Sequence, residues 1–281
     1  MTATASGTTD RFPDLARRAV SGLLLAVVVL GSVSNHYAFL VAVLAITMLS
    51  LWELAGLTAR KGQPMVFPVA ALAVACYLVL AEFGLQHRFE AVLLAGTLIA
   101  SLAVALFGAR QGYIARSAFT LFGVLYIGWL GSYFIALQTL PNVGAAYTIG
   151  CIVLIATTDI FAMLVGTTIG RTPLTPISPK KTWEGAIGGF VAASLAGAAF
   201  GLAPHIGISW SDGAIVGAAT SIAAQAGDLV ESALKRDARV KDAGTLLGGH
   251  GGILDRFDSY TLGGIVFYGA MYLTHHIPAL H

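Results

Sequence analysis

The chain has 281 residues, of which 57% are hydrophobic and 11% are charged, and its mean hydropathy is +0.80. Soluble domains carry about 25% charged residues, so this composition excludes a water-soluble globule, and two cysteines are too few for a disulfide scaffold. The formal net charge of +2 shows no overall bias toward nucleic acid. We therefore predict an all-α polytopic membrane protein.

Nine apolar segments follow one another along the chain, each close to the roughly 20 residues that a membrane-spanning helix needs. The predicted helices are 19–34, 36–58, 64–84, 90–107, 117–138, 146–166, 186–204, 213–231 and 258–279. A polar leader that contains Asp10 and Asp14 precedes the first segment, which favours a retained helix over a cleaved signal peptide.

Lysine and arginine mark the cytoplasmic loops of membrane proteins. If the N-terminus is cytoplasmic, fifteen of the sixteen basic residues fall on the cytoplasmic side, and only Arg88 falls on the other. This bias predicts a cell inner-membrane protein with a cytoplasmic segment at 1–18, N-terminal helices over 19–145 and a C-terminal region over 146–281. Two long, charged cytoplasmic loops, 167–185 and 232–257, make this last region the expected catalytic part, with its active site facing the cytoplasm.

The second of these loops and its exit, Ser232–Asp258, combine five basic residues with four aspartates, a histidine and five glycines. Glycine lets backbone N–H groups approach an anion closely, and carboxylates among phosphate-binding cations suggest Mg²⁺. A plain basic loop that only sets topology is the alternative. Because topology requires neither the aspartates nor the glycines, we favour a phosphate-binding site.

The first charged loop ends in the stretch Ser178–Gly185, which presents Lys180 and Lys181 side by side. This pattern fits either an anion site or an ordinary helix start with lysine and tryptophan anchors. Both interpretations stay open. We expect Glu184 to begin the following helix, where a carboxylate suits the positive end of the helix dipole.

Three carboxylates lie within the predicted helices, where an ionisable residue is costly and is a functional candidate. Asp228 lies near the cytoplasmic end of its helix, so it could join Asp255 around a metal ion. The role of Asp159 is left open.

The third of these carboxylates, Glu53, and three further glutamates are interpreted as structural. Glu53 is close in sequence to Arg60 and Lys61, which predicts a snorkelling or paired side chain. Glu82, Glu90 and Glu231 are placed at helix ends, close to water.

The Ser232–Asp258 stretch resembles the signature of the phosphatidate cytidylyltransferase (CDP-diglyceride synthetase) family. The matching residues are Ser232, Lys235, Arg236, Lys241, Asp242, His250, Gly251, Gly252, Asp255, Arg256 and Asp258. The Ser178–Gly185 stretch and the pair Gly227-Asp228 resemble two further family hallmarks. Two departures stand out: Gly248 replaces a common proline, and the residues after Asp159 differ from the usual family pattern, which suggests a divergent paralogue.

The resemblance implies the reaction CTP + phosphatidate → CDP-diacylglycerol + pyrophosphate, assisted by Mg²⁺ or another divalent cation. It implies metal ligation by Asp228 and Asp255, with Asp258 as an addition. It implies catalytic or phosphate-neutralising roles for Asp228, Lys235, Arg236, Lys241, His250, Asp255 and Arg256, with His250 as a hydrogen-bond donor. Substrate contacts are expected from Ser178, Lys180, Lys181, Gly251 and Gly252.

The expected partners are CTP and phosphatidic acid, with no nucleic acid, and a homodimer is left open. The nearest alternative is a CTP-dependent lipid-alcohol kinase, which would transfer the γ-phosphate. A less favoured alternative is an ion-coupled transporter that uses Asp159 and Asp228, since transporters place their sites at the membrane midplane.

Overall fold

The computed structural model describes residues 26–108, 112–204, 206–244 and 251–277. Within these ranges the chain is helical, apart from turns, loops and one isolated bridge between Pro173 and Thr182. A helical segment at 26–32 precedes eight helices. These are α1 (His36–Arg60), α2 (Phe67–Glu82), α3 (Gln86–Gly108), α4 (Tyr113–Gln138), α5 (Gly144–Ile169), α6 (Trp183–Gly201), α7 (Trp210–Asp237) and α8 (Leu254–Leu273).

Six of these helices, α1 and α3–α7, are long and apolar enough to cross a membrane. Helix α2 is apolar but has only 16 residues, and α8 begins with Asp255, Arg256 and Asp258. The predicted all-helical, multi-pass membrane architecture is confirmed. The count of nine and the orientation stay predictions, because the leader 1–18 and the start of the first predicted helix lie outside the described residues.

Helix α4 is the most deeply buried of the six and contains a π-helical segment, Val124–Trp129. It packs against α2 and α8, and Gly128 at its centre lies against Val74 so closely that an added Cβ would be 2.8 Å from the Val74 Cγ2. The packing of α4 against α8 joins the N-terminal helices to the C-terminal region.

Helices α5 to α8 pack sequentially, each against the next. At the centre of the α6–α7 contact, a Cβ on Gly197 would lie 2.1 Å from the Gly213 carbonyl oxygen. Small residues of this kind allow two membrane helices to approach until their backbones touch. The close packing fixes where the charged end of α7 lies relative to its neighbours.

Candidate active site

Helix α7, which carries charged residues at its C-terminal end, is longer than the hydrocarbon core of a bilayer. Its 28 residues span about 42 Å at the usual helical rise, whereas the hydrocarbon core is about 30 Å thick. The predicted loop start at residue 232 is therefore wrong, because Lys235 and Arg236 lie in the last turn of the helix. The predicted loop end is also wrong, since α8 already begins at Leu254. The site is built largely from helix ends, whose positions are fixed by packing.

Three acidic side chains meet between α7 and α8. Asp228, Glu231 and Asp258 each place one carboxylate oxygen within 4.8 Å of the others, and we call them the carboxylate cluster. Asp228 and Glu231 are three residues apart and share a helix face. Gly227 brings the helices together, because a Cβ there would lie 2.5 Å from the Asp258 carbonyl oxygen.

The carboxylate cluster has the donor set of a divalent-cation site. Carboxylate oxygens are the ligands that Mg²⁺ and Ca²⁺ take in proteins, and three of them so close together require nearby positive charge. Two lysines supply it: the Lys181 Nζ lies 2.5 Å from the Asp228 Oδ2, and Lys235 forms an ion pair with Glu231. The residues therefore fit a bound cation flanked by two ammonium groups.

The structure does not place Asp255 in the carboxylate cluster. The Asp255 Oδ1 accepts a hydrogen bond from the Lys235 Nζ at 2.7 Å. Its Oδ2 accepts hydrogen bonds from the backbone N–H of Gly252 at 2.6 Å and of Ala243 at 2.9 Å. Asp255 thus holds Lys235 and the backbone at Ala243 and Gly252 in place, while Glu231 occupies the third position of the cluster.

The prediction that Glu231 lies close to water is wrong. Its side chain has no exposed surface, and it contributes to the carboxylate cluster. The sequence held a signal for this, because Glu231 lies one helical turn after Asp228 and so shares its face.

The prediction that Glu53 snorkels or pairs with a nearby basic residue is also wrong. Its side chain is turned away from the basic residues at the end of α1 and accepts a hydrogen bond from the backbone N–H of Leu254 at 2.8 Å. Lys61 pairs instead with Asp237 at the end of α7.

The loop between α5 and α6 folds back on itself. The Leu174 N–H donates to the Lys181 carbonyl at 2.7 Å, and the Trp183 N–H donates to the Thr172 carbonyl at 2.9 Å. These bonds direct Lys181 toward Asp228. The neighbouring Lys180 is exposed and does not reach the cluster, and Ser178 is half-buried.

Glu184 supports this loop, and its predicted position at the start of a helix is confirmed. It lies in the first turn of α6. Its carboxylate accepts hydrogen bonds from the backbone N–H groups of Arg171 and Thr172, each at 3.2 Å, and from the Thr172 hydroxyl at 2.9 Å.

An apolar cavity of about 450 Å³ is lined in part by α8, the helix that also carries Asp258. The walls come from segment 26–32, α1, α4, α5 and α8, and the polar lining includes Asp159, Arg256 and Tyr260. The Ser259 hydroxyl donates to the Asp159 Oδ1 at 3.2 Å, so Asp159 contacts the residue that follows Asp258 in the chain. Asp159 thereby belongs to the surroundings of the site.

The remaining predicted residues are more peripheral. Arg236 and Lys241 are exposed at the surface beside the site. Gly251 adopts a φ of +90°, a left-handed conformation that favours glycine, and Gly252 is buried. His250 lies outside the described residues.

Fold and site together define a multi-pass helical membrane protein with a cluster of carboxylates and lysines where its helices meet. The chain matches the model of the Cytidylyltransferase family over residues 15–274. It is similar to the phosphatidate cytidylyltransferase of Bacillus subtilis, with 34% identity over 88% of this chain and 94% of the relative. It is 33% identical to that of Synechocystis sp. over 94% and 97% of the two chains.

A chloroplastic relative, phosphatidate cytidylyltransferase 5 of Arabidopsis thaliana, is 32% identical over 90% of this chain and 70% of its own length. The chain belongs to the cytidylyltransferase family, which confirms the prediction from the Ser232–Asp258 signature. It is accordingly a nucleotidyltransferase.

Proposed function

We propose that this cytidylyltransferase converts CTP and phosphatidate into CDP-diacylglycerol and pyrophosphate. A phosphate oxygen of phosphatidate forms a bond to the α-phosphorus of CTP, and the bond from that phosphorus to the oxygen bridging the β-phosphate breaks. The observation that carries the proposal is the carboxylate cluster, flanked by Lys181 and Lys235, beside an apolar cavity that shares α8 with it.

We assign the divalent cation, Mg²⁺ by preference, to Asp228, Glu231 and Asp258. When bound, the cation would supply the positive charge that two anionic substrates and a departing pyrophosphate need. Lys181 and Lys235 each contact a cluster carboxylate, so they are placed to share their charge with substrate phosphates. A phosphate monoester has a second pKa near 6 and is already ionised at neutral pH, so the site needs no strong general base.

The apolar cavity gives the diacylglycerol part a place within the helices. Its largely apolar lining includes Arg256 as the one basic residue among those that the structure describes, beside polar residues such as Asp159 and Tyr260, an arrangement suited to a phosphate that is attached to acyl chains. CTP would then approach from the aqueous side, past the exposed Arg236 and Lys241.

The proposed topology has nine membrane helices, a cytoplasmic N-terminus and an active site that faces the cytoplasm from the inner membrane. The ion pair between Lys61 and Asp237 supports it, because it places the end of α1 at the same side as the end of α7. Lys181 joins this side through Asp228. The basic residues of three predicted cytoplasmic loops therefore lie together, as a positive-inside topology requires.

The fate of two radiolabels tests the reaction. Purified protein is incubated with Mg²⁺, phosphatidate and CTP labelled with ³²P at either the α- or the γ-position. We expect the α-label to appear in the lipid and the γ-label in pyrophosphate. A lipid-alcohol kinase would place the γ-label in a lipid, and a transporter would label no lipid, so either result would overturn the proposal. Neither alternative gains support from the fold or the relatives.

A further inference from the structure

The N-terminal helices, which carry none of the signature residues, send one side chain to the start of α8. Glu53 on α1 is 2% exposed, and its Oε2 accepts a hydrogen bond from the Leu254 N–H at 2.8 Å. A buried carboxylate is costly unless it is hydrogen-bonded. Here the first backbone N–H of a helix provides that bond, and the positive end of the helix dipole favours the negative charge.

The same carboxylate fills the space in front of two glycines. A Cβ on Gly252 would lie 2.2 Å from the Glu53 Oε2, and a Cβ on Gly244 would lie 2.1 Å from the Oε1. Gly252 does not have a positive φ, so its backbone conformation is open to other residues. The contact with Glu53 is what requires glycine at this position.

The opposite side of this segment is held by Asp255. The Gly252 N–H donates to the Asp255 Oδ2, and the Asp255 Oδ1 accepts from the Lys235 Nζ. Residues 252–254 are thus clamped between a carboxylate from α1 and a carboxylate of α8. One turn further along α8, Asp258 enters the carboxylate cluster. A displacement at Leu254 would therefore move both Asp255 and Asp258.

We propose that Glu53 is a positioning residue, which sets the start of α8 and thereby the place of Asp258 relative to Asp228. The proposal rests on the metal site assigned under the proposed function. It assigns to an N-terminal helix a role in ordering a site whose signature residues all come from the C-terminal region.

The first test compares Glu53→Ala with Glu53→Gln, whose amide oxygen can still accept from the Leu254 N–H. For Glu53→Ala we expect kcat to fall at least about 30-fold and the half-saturating Mg²⁺ concentration to rise about fivefold or more. Glu53→Gln should stay within about fivefold of wild type in both values. Lys61→Ala is the matched control, since it removes the other polar tie between α1 and the site region, and we expect less than about a twofold change.

Two readouts do not depend on activity. Mn²⁺ binding, measured by electron paramagnetic resonance on the full chain in detergent, should weaken in Glu53→Ala and not in Lys61→Ala. Hydrogen exchange should accelerate in peptides that cover 251–258, with the rest of the chain unchanged. A purely structural role would lower the folded fraction and accelerate exchange throughout, while the folded protein kept its Mn²⁺ affinity.

A double-mutant cycle tests the contact itself. Gly252→Ala alone should resemble Glu53→Ala, because the new methyl group displaces the carboxylate. Glu53→Ala/Gly252→Ala should be no more than about twofold worse than Glu53→Ala, since contacting residues do not add. Fully additive losses in the double variant would overturn the proposal. Mn²⁺ affinity and hydrogen exchange equal to those of wild type in Glu53→Ala would also overturn it. A failure of the proposed function can be distinguished from these outcomes, because wild-type protein would then form no labelled liponucleotide.

Discussion

Asp228→Asn is expected to lower kcat at least about 100-fold, which corresponds to about 2.7 kcal/mol of barrier. Asp228 contributes an oxygen to the carboxylate cluster and pairs with Lys181. The substitution keeps the size of the side chain but removes its charge. A cation held by three carboxylates would then be held by two, and Lys181 would lose its anionic partner.

The measurement is liponucleotide formation by purified Asp228→Asn across a range of Mg²⁺ concentrations. Excess Mg²⁺ should restore part of the rate if ligation is what was lost. Asp237→Asn is the matched control, because Asp237 lies on the same helix and pairs only at the exposed end with Lys61. Near-normal turnover of Asp228→Asn at limiting Mg²⁺ would remove Asp228 from the metal site.

Asp255→Asn should also lower kcat at least about 100-fold, for a different reason. Asp255 accepts hydrogen bonds from Lys235, Gly252 and Ala243, so its loss leaves the Lys235 ammonium with Glu231 alone and loosens the connection before α8.

Lys235→Ala should mainly raise the KM for CTP, because the ammonium group is the part that would contact the triphosphate.

The two substitutions can be combined because the side chains touch. We expect Lys235→Ala/Asp255→Asn to be about as slow as the slower single variant, since the two residues act through one contact. Steady-state kinetics on all four proteins, with size-exclusion profiles to verify folding, make the comparison. Independent, additive losses in the double variant would show that Asp255 acts apart from Lys235. Unchanged CTP kinetics in Lys235→Ala would reject the phosphate role of Lys235.

Hydropathy predicted the membrane helices well because it reports the burial of whole segments. The predicted 36–58 corresponds to α1, and 146–166 corresponds to α5. Helix ends were harder to place. Charge indicates where a chain leaves the membrane, but a helix such as α7 continues into water when its last turns are packed, so Lys235 is helical and not part of a loop.

The site was predicted in outline. Asp228 and Asp258 meet as expected from their positions before and after the charged connection, and Lys181 reaches Asp228 from a different loop. Glu231 could have been added from its helical spacing. The contact of Glu53 with Leu254 joins residues 201 positions apart, and no local pattern carries such information, because only the packing of α1 on α8 creates it.

In the proposed mechanism, acidic side chains gather a cation so that two anions can react. The most direct test is to assay wild-type protein, stripped of divalent ions by a chelator, for formation of CDP-diacylglycerol, and then to titrate Mg²⁺ back. We predict a loss of at least about 100-fold that is fully reversed by Mg²⁺. Undiminished synthesis in the chelated protein would show that the reaction needs no divalent cation, which contradicts the proposed mechanism.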